Sequence, residues 1–172
     1  MVSGDLNGRV HQWEAATGQV AGMFDAKELH SYNTGQSVDF GGVRSLALSP
    51  DEHLACAGLY KAENPLGAVH EPIVLRFDWE TAKLLVSHVV PEIKGVAWRV
   101  RFHPEGYLIG GSGGGGGGHL VFWNLEDKLF HAFKLPDTVR EFDLHPGGVQ
   151  LATAHYGKAV RLSRMAPKPA AK

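Results

Sequence analysis

VRSLALSPDEHLACAG (Val43–Gly58) decides the fold, because the chain writes it again as VAWRVRFHPEGYLIGG (Val96–Gly111) and VREFDLHPGGVQLATA (Val139–Ala154). Each copy reads as an apolar strand ending in Ser-Pro or His-Pro, a short turn, and a second strand. A unit this small cannot bury its own apolar face, so neighbouring copies must stack. The repetition predicts an array of small sheets, and a surface for binding before a cavity for chemistry.

Working outward, the strand after each copy is also alike. These third strands are GRVHQWEAATG (Gly8–Gly18), PIVLRFDWETA (Pro72–Ala82), HLVFWNLED (His119–Asp127) and KAVRLSRM (Lys158–Met165). An aromatic or aliphatic residue followed by a polar one marks each: Trp13-Glu14, Phe77-Asp78, Trp123-Asn124 and Leu162-Ser163. Fourth, outer strands follow as QVAGMF (Gln19–Phe24), KLLVSHVV (Lys83–Val90) and KLFHAFKL (Lys128–Leu135), with Lys or His near their ends as suits an unpaired edge. Asn7-Gly8 and Thr17-Gly18 suit tight turns, since glycine accepts positive φ. The count expected is thirteen strands, grouped two, four, four and three. AKELHSYN (Ala26–Asn33) reads as a short helical turn, and Lys61–Pro72, polar with two prolines, as an extended loop between a second and a third strand.

These repeats resemble the WD-repeat family, with bacterial members carrying Gly-rich loops the nearest in kind. Pro50, Pro104 and Pro146 lie 54 and 42 residues apart, against roughly 40–45 residues for such a blade. The resemblance implies an all-β fold: a partial β-propeller of four-stranded antiparallel blades over residues 1–165. Blade pieces fall at about 1–26, 40–91, 95–136 and 138–165, and the tail APKPAAK (166–172) is expected to be disordered. About four blades is too few for the usual ring of this family. The chain is therefore read as the C-terminal portion of a larger propeller, or as half of a homodimer that completes one.

Composition narrows the function classes. Of 172 residues, 44% are hydrophobic and 20% charged, an ordinary globular balance. A net charge of −1 gives no electrostatic case for nucleic acid or an anionic membrane. No apolar run reaches the roughly 18 residues of a membrane span. MVSGDLNGRV lacks the features of a secretory signal, so with Met1 as the start the expected location is the cytoplasm. The single cysteine, Cys56, forms no intrachain disulfide framework and sits in an apolar strand as a buried side chain would.

Motifs that could carry chemistry fail on context. GGSGGGGGGH (Gly110–His119) satisfies a dinucleotide fingerprint trivially, but a strand follows it instead of the required helix, so it reads as a flexible loop between strands. The ten histidines form no ligand-spaced pair. His103 and His145 hold the repeat position of Ser49, which points to turn geometry. Glu141 and Asp143 share one strand face and read as a solvated or channel-lining pair before a catalytic one. No catalytic residue, metal ligand or cofactor is assigned.

The function expected is a non-catalytic scaffold for protein partners. Arg44, Trp98 and Arg140 occupy one position at the start of successive first strands, an end that often forms the partner-binding face in this family. Arg and Trp are also enriched at binding hot spots, so these three are the interface candidates. Two other classes stay open: a propeller-type enzyme (hydrolase or quinone-dependent dehydrogenase), and a regulatory sensing segment of a multidomain protein.

Overall fold

The computed structural model describes residues 1–63, 69–115, 117–126 and 128–166, without the Phe130 side chain. Part of the expected insertion loop (64–68) and all of the expected tail but Ala166 lie outside these residues. The fold is all-β and antiparallel. The first sheet holds β1 (Val2–Gly4), β2 (Arg9–Trp13) and β3 (Val20–Asp25). A separate hairpin pairs β4 (His30–Asn33) with β5 (Val38–Gly41). The second sheet runs β6 (Ser45–Leu48), β7 (His53–Tyr60), β8 (Glu71–Asp78) and β9 (Leu84–Val89) in sequence order. The third repeats that order with β10 (Val96–Phe102), β11 (Leu108–Gly114), β12 (Gly117–Trp123) and β13 (Leu129–Leu135). The fourth holds β14 (Val139–Leu144), β15 (Gln150–His155) and β16 (Val160–Arg164).

Sixteen strands are described where thirteen were expected. The first sheet gains β1, and Ala26–Asn33 is only briefly helical. A 3-10 turn over Lys27–Leu29 leads directly into β4. Leu29 anchors that turn by burying fully beneath β7. The helical reading holds for Lys27–Leu29 and fails beyond it, where His30–Asn33 pairs with β5.

Consecutive sheets pack face to face, and three apolar layers fill the gaps. Val10, Phe24, Leu54, Leu75 and Phe77 lie between the first and second sheets. Ala55, Ala57, Val74, Val100, Leu108 and Trp123 lie between the second and third. Ile109, Leu120, Phe122, Phe142 and Leu151 lie between the third and fourth. Cys56 is fully buried in the first layer, and desolvation pushes its thiol well up, so it is a packing residue. Polar ties cross the layers as well. Val100 N donates to Ser45 Oγ at 3.2 Å, and buried Arg76 reaches from the second sheet to the Leu125 carbonyl of the third.

The repeated turns have a side-chain explanation. Ser49 Oγ accepts from His53 N, His103 Nδ1 from Glu105 N, and His145 Nδ1 from Gly147 N, at 3.0, 3.1 and 3.0 Å. The histidines at this position close the turn around the proline. The polar residues after Phe77 and Trp123 do the same at the turn between the third and fourth strands of their sheets. Asp78 accepts from Thr81 N and Oγ1, and Asn124 from Glu126 N and Lys128 N.

Two readings of the sequence are corrected here. The glycine run is not a loop: Gly110–Gly114 belong to β11 and Gly117 and Gly118 to β12. Neighbours occupy the space where side chains would go. A Cβ on Gly110 would lie 2.7 Å from the Trp123 ring, and one on Gly113 2.6 Å from Thr138 Cα. One on Gly118 would be driven into the Asp137 carbonyl. The second correction is register. Leu54 pairs with Phe77 and Leu108 with Trp123, but Leu151 pairs with Ser163. Ser163, not Leu162, therefore holds the aromatic position in the last repeat, as the pairing of β15 with β16 sets it.

Two stability measurements check this packing. Gly118→Ala forces the third and fourth sheets apart and should cost about 1–3 kcal/mol, a fall of roughly 3–10 °C in the melting temperature of a chain this size; an unchanged melt contradicts the close approach. His88, fully buried beside the Trp123 ring, has its pKa lowered to about 4 by desolvation and by the nearby Arg76 charge. The unfolded chain takes up that proton near pH 6.5 and the folded chain does not. Stability is thus complete above pH 6.5 and falls as pH is lowered toward 4, by on the order of 1–2 kcal/mol between pH 7 and pH 5. Urea midpoints should show this slope, and His88→Gln should flatten it.

Candidate functional site

Two bulges build the site. Along β10 and β11 the register shifts between Ala97 and Arg99, which leaves Trp98 as the extra residue. Along β14 and β15 it shifts between Val139 and Glu141, which leaves Arg140 as the extra residue. A bulge turns its side chain away from the pleat, a common device beside functional surfaces. Arg44 sits immediately before β6, its N–H donating to the Ala57 carbonyl at 2.8 Å. Thus three residues from three consecutive sheets emerge at one end of the stack.

They meet there. The Trp98 ring lies between two guanidinium groups, with Arg140 Cζ 4.1 Å and Arg44 Cζ 5.9 Å from the ring centroid. Arg140 Cζ is also 5.3 Å from the Tyr156 ring. The result is a ladder of alternating cation and aromatic, Arg44–Trp98–Arg140–Tyr156. Each exposed cation–π contact contributes about 0.5–1 kcal/mol. Tyr156 was not among the expected residues. The signal was available: it follows β15 directly, and the end of a second strand lies beside the start of its first. Tyr156 N–H indeed donates to Thr138 O at 3.0 Å.

Trp98 is held from below. Its indole N–H donates to the Gly113 carbonyl at 3.2 Å. Its half-buried ring packs on a small cluster of Phe40, Leu59, Ala62 and Val96. Phe40 comes from the β4–β5 hairpin, so that element supports the ladder. Arg44 is steadied by donating Nη2–H to the Gly41 carbonyl at 2.9 Å. Arg44, Arg140 and Tyr156 are exposed, and among the described residues no carboxylate pairs with either arginine. The ladder is thus a fixed, positively charged, aromatic-faced surface.

The other candidate groups are committed elsewhere. Glu141 and Asp143 do share a face, but each is met by an arginine of β10. Arg99 Nε lies 2.6 Å from Glu141 Oε1, and Arg101 Nε donates to Asp143 Oδ1 at 3.1 Å. Partial desolvation pushes the Asp143 carboxyl up. Hydrogen bonds from Arg101 and the Leu144 backbone, with the charges of Arg101 and Arg99, outweigh it and hold the group below the usual carboxylate range. An acid held ionised in an ion pair is poorly suited to shuttle protons near neutral pH. Among the described residues no three or more His, Cys, Asp or Glu side chains gather in a metal-binding arrangement. No helix of the described residues is long and apolar enough to cross a membrane.

No protein-family model matches the chain, and no curated protein matches it. The reading of function therefore rests on the residues themselves.

The Arg101–Asp143 pair gives a direct check on these electrostatics. Arg101→Met removes the donor and the charge, so the Asp143 carboxyl should titrate at higher pH than in the parent protein. Carboxyl-carbon NMR titration reads this, and an unmoved midpoint would assign the lowering to another group.

Proposed function

We propose that this chain is a non-catalytic recognition scaffold, a segment of a WD-repeat-like β-propeller, and that the Arg44–Trp98–Arg140–Tyr156 ladder takes an acidic segment of a partner protein. One observation carries the reading: three sheets and two bulges deliver these four side chains to a single exposed stack. Guanidinium forks match carboxylates in geometry as well as charge. The Trp98 and Tyr156 faces offer apolar area for the partner's aliphatic or aromatic groups. Because Trp98 is already fixed by Gly113 and the Phe40 cluster, little order is lost on binding. The propeller part of the reading is supported by the common strand order of the second and third sheets. A bulge falls at the same place, before the aromatic position, in the β2–β3, β8–β9 and β12–β13 pairs.

A displayed library of Asp- and Glu-rich peptides, with charge-neutral counterparts, tests the site. The parent protein should enrich acidic peptides, with binding that weakens as salt is added. Arg140→Glu should lower affinity at least tenfold, and Trp98→Ala should do so with less change in salt dependence. Both variants should melt within a few degrees of the parent. No preference for acidic peptides, or equal binding by Arg140→Glu, overturns the proposal.

A further inference from the structure

The four rungs of the ladder stand close together and are held in place. Arg44 Cζ lies 5.9 Å from the Trp98 ring centroid, Arg140 Cζ 4.1 Å from it, and Arg140 Cζ 5.3 Å from the Tyr156 centroid. Trp98 is fixed by its indole N–H donating to the Gly113 carbonyl, and Arg44 by Nη2–H donating to the Gly41 carbonyl. Arg140 sits against two rings, and neither arginine meets a carboxylate among the described residues. The indole stands between the two guanidinium groups, so one carboxylate cannot fork both. A partner that satisfies both must bring two acids, with an apolar group between them for the Trp98 face.

The spacing of the rungs limits the shape of such a partner. Each separation is a straight-line distance, so spacing along the ladder cannot exceed it, and no step is longer than 5.9 Å. Neighbouring side chains on one face of an extended strand stand two residues, or about 6.6 Å, apart. Those on one side of a polyproline helix stand three residues, or about 9 Å, apart. Both overshoot every rung. Three or four residues of an α-helix advance about 4.5–6 Å and stand side by side on one face. Of the three repeats, only the α-helix keeps pace with the ladder.

We propose that the acidic segment taken by the ladder is one face of an α-helix, with acidic and apolar residues alternating at steps of four, three and four. One acid meets Arg44, an apolar side chain lies on Trp98, the second acid meets Arg140, and a second apolar side chain lies on Tyr156. The inference rests on the acidic-segment reading above and adds to it the partner's conformation and spacing. It is the helix-on-surface mode of peptide recognition, with charge complementarity at two rungs and apolar contact at the other two.

Three labelled peptides bearing the same Glu and Leu residues test this by fluorescence anisotropy. The first carries Glu, Leu, Glu and Leu at steps of four, three and four, with a side-chain lactam on the opposite face to hold the helix. The second carries them at every second position. The third is the first without its lactam and with a central proline off the binding face. Each is made in both chain orders. The lactam-held peptide should bind at least fivefold tighter than either of the others. Arg44→Glu should weaken it at least tenfold, and Lys in place of the acid that faces Arg44 should restore binding to that variant. Lys in place of the other acid should not. Arg44 is exposed, so this variant should melt close to the parent protein. A smaller preference for the helix, or tighter binding of the alternating peptide, overturns this inference and leaves the acidic-segment reading standing. Failed rescue, or equal rescue by either Lys, overturns the assigned spacing. No binding of any of the three peptides overturns both readings.

Discussion

Trp123 lies against bare backbone at Gly110 and reaches the alanine face of the preceding sheet, and the spacing of the whole stack depends on contacts of this kind. A large ring fits between two sheets only if the facing positions are small. The chain meets that condition with Ala47, Ala55 and Ala57 opposite Trp123, and with glycines where the third and fourth sheets approach. Burying one such side chain contributes about 3 kcal/mol or less from area alone. Truncating it costs more, because a cavity opens where the sheets can close only partly. The glycine run is the part of this arrangement most easily misread. Its composition suggests flexibility, yet its lack of side chains lets Thr138 and Asp137 come against the strands.

The same spacing places the ladder. Sheets packed at a regular interval bring the starts of β6, β10 and β14 side by side. The bulges at Trp98 and Arg140 then turn outward two residues that a regular pleat would have aimed into the layers. The hairpin β4–β5 belongs to none of the stacked sheets, but it supplies Phe40 beneath Trp98. Rigid backbone, a buried base and an exposed charged rim are the features on which the proposed recognition of an acidic segment rests. The carboxylates best placed for an acid–base role, Glu141 and Asp143, instead tie the edges of β10 and β14 through Arg99 and Arg101.

Much of this was legible along the chain. Strand identity followed from alternation, and strand order from the repeated Ser-Pro or His-Pro phrase. The alignment of Arg44, Trp98 and Arg140 followed from counting back from Pro50, Pro104 and Pro146. Turn chemistry was readable too, since an Asp, Asn, Ser or His beside a turn caps backbone N–H groups over a few residues. Those signals are local, and local hydrogen bonding and side-chain period determine them.

What the tertiary structure decided is everything that depends on a neighbour distant in sequence. Gly113 and Gly118 belong to strands because Thr138 and Asp137 occupy the space beside them, which no property of a glycine announces. Ser163 replaces Leu162 at the aromatic position because the pairing of β15 with β16 sets which face each residue takes, and a shift of one residue exchanges the faces of a strand. Tyr156 joined the ladder through the adjacency of β14 and β15, and Phe40 through a hairpin whose packing no repeat forecast. The sequence by itself determined the strands, their order and the small and large residues that alternate between sheets. Which of those residues touch was decided only when the sheets stacked, because contact depends on the distance between surfaces and not on separation along the chain.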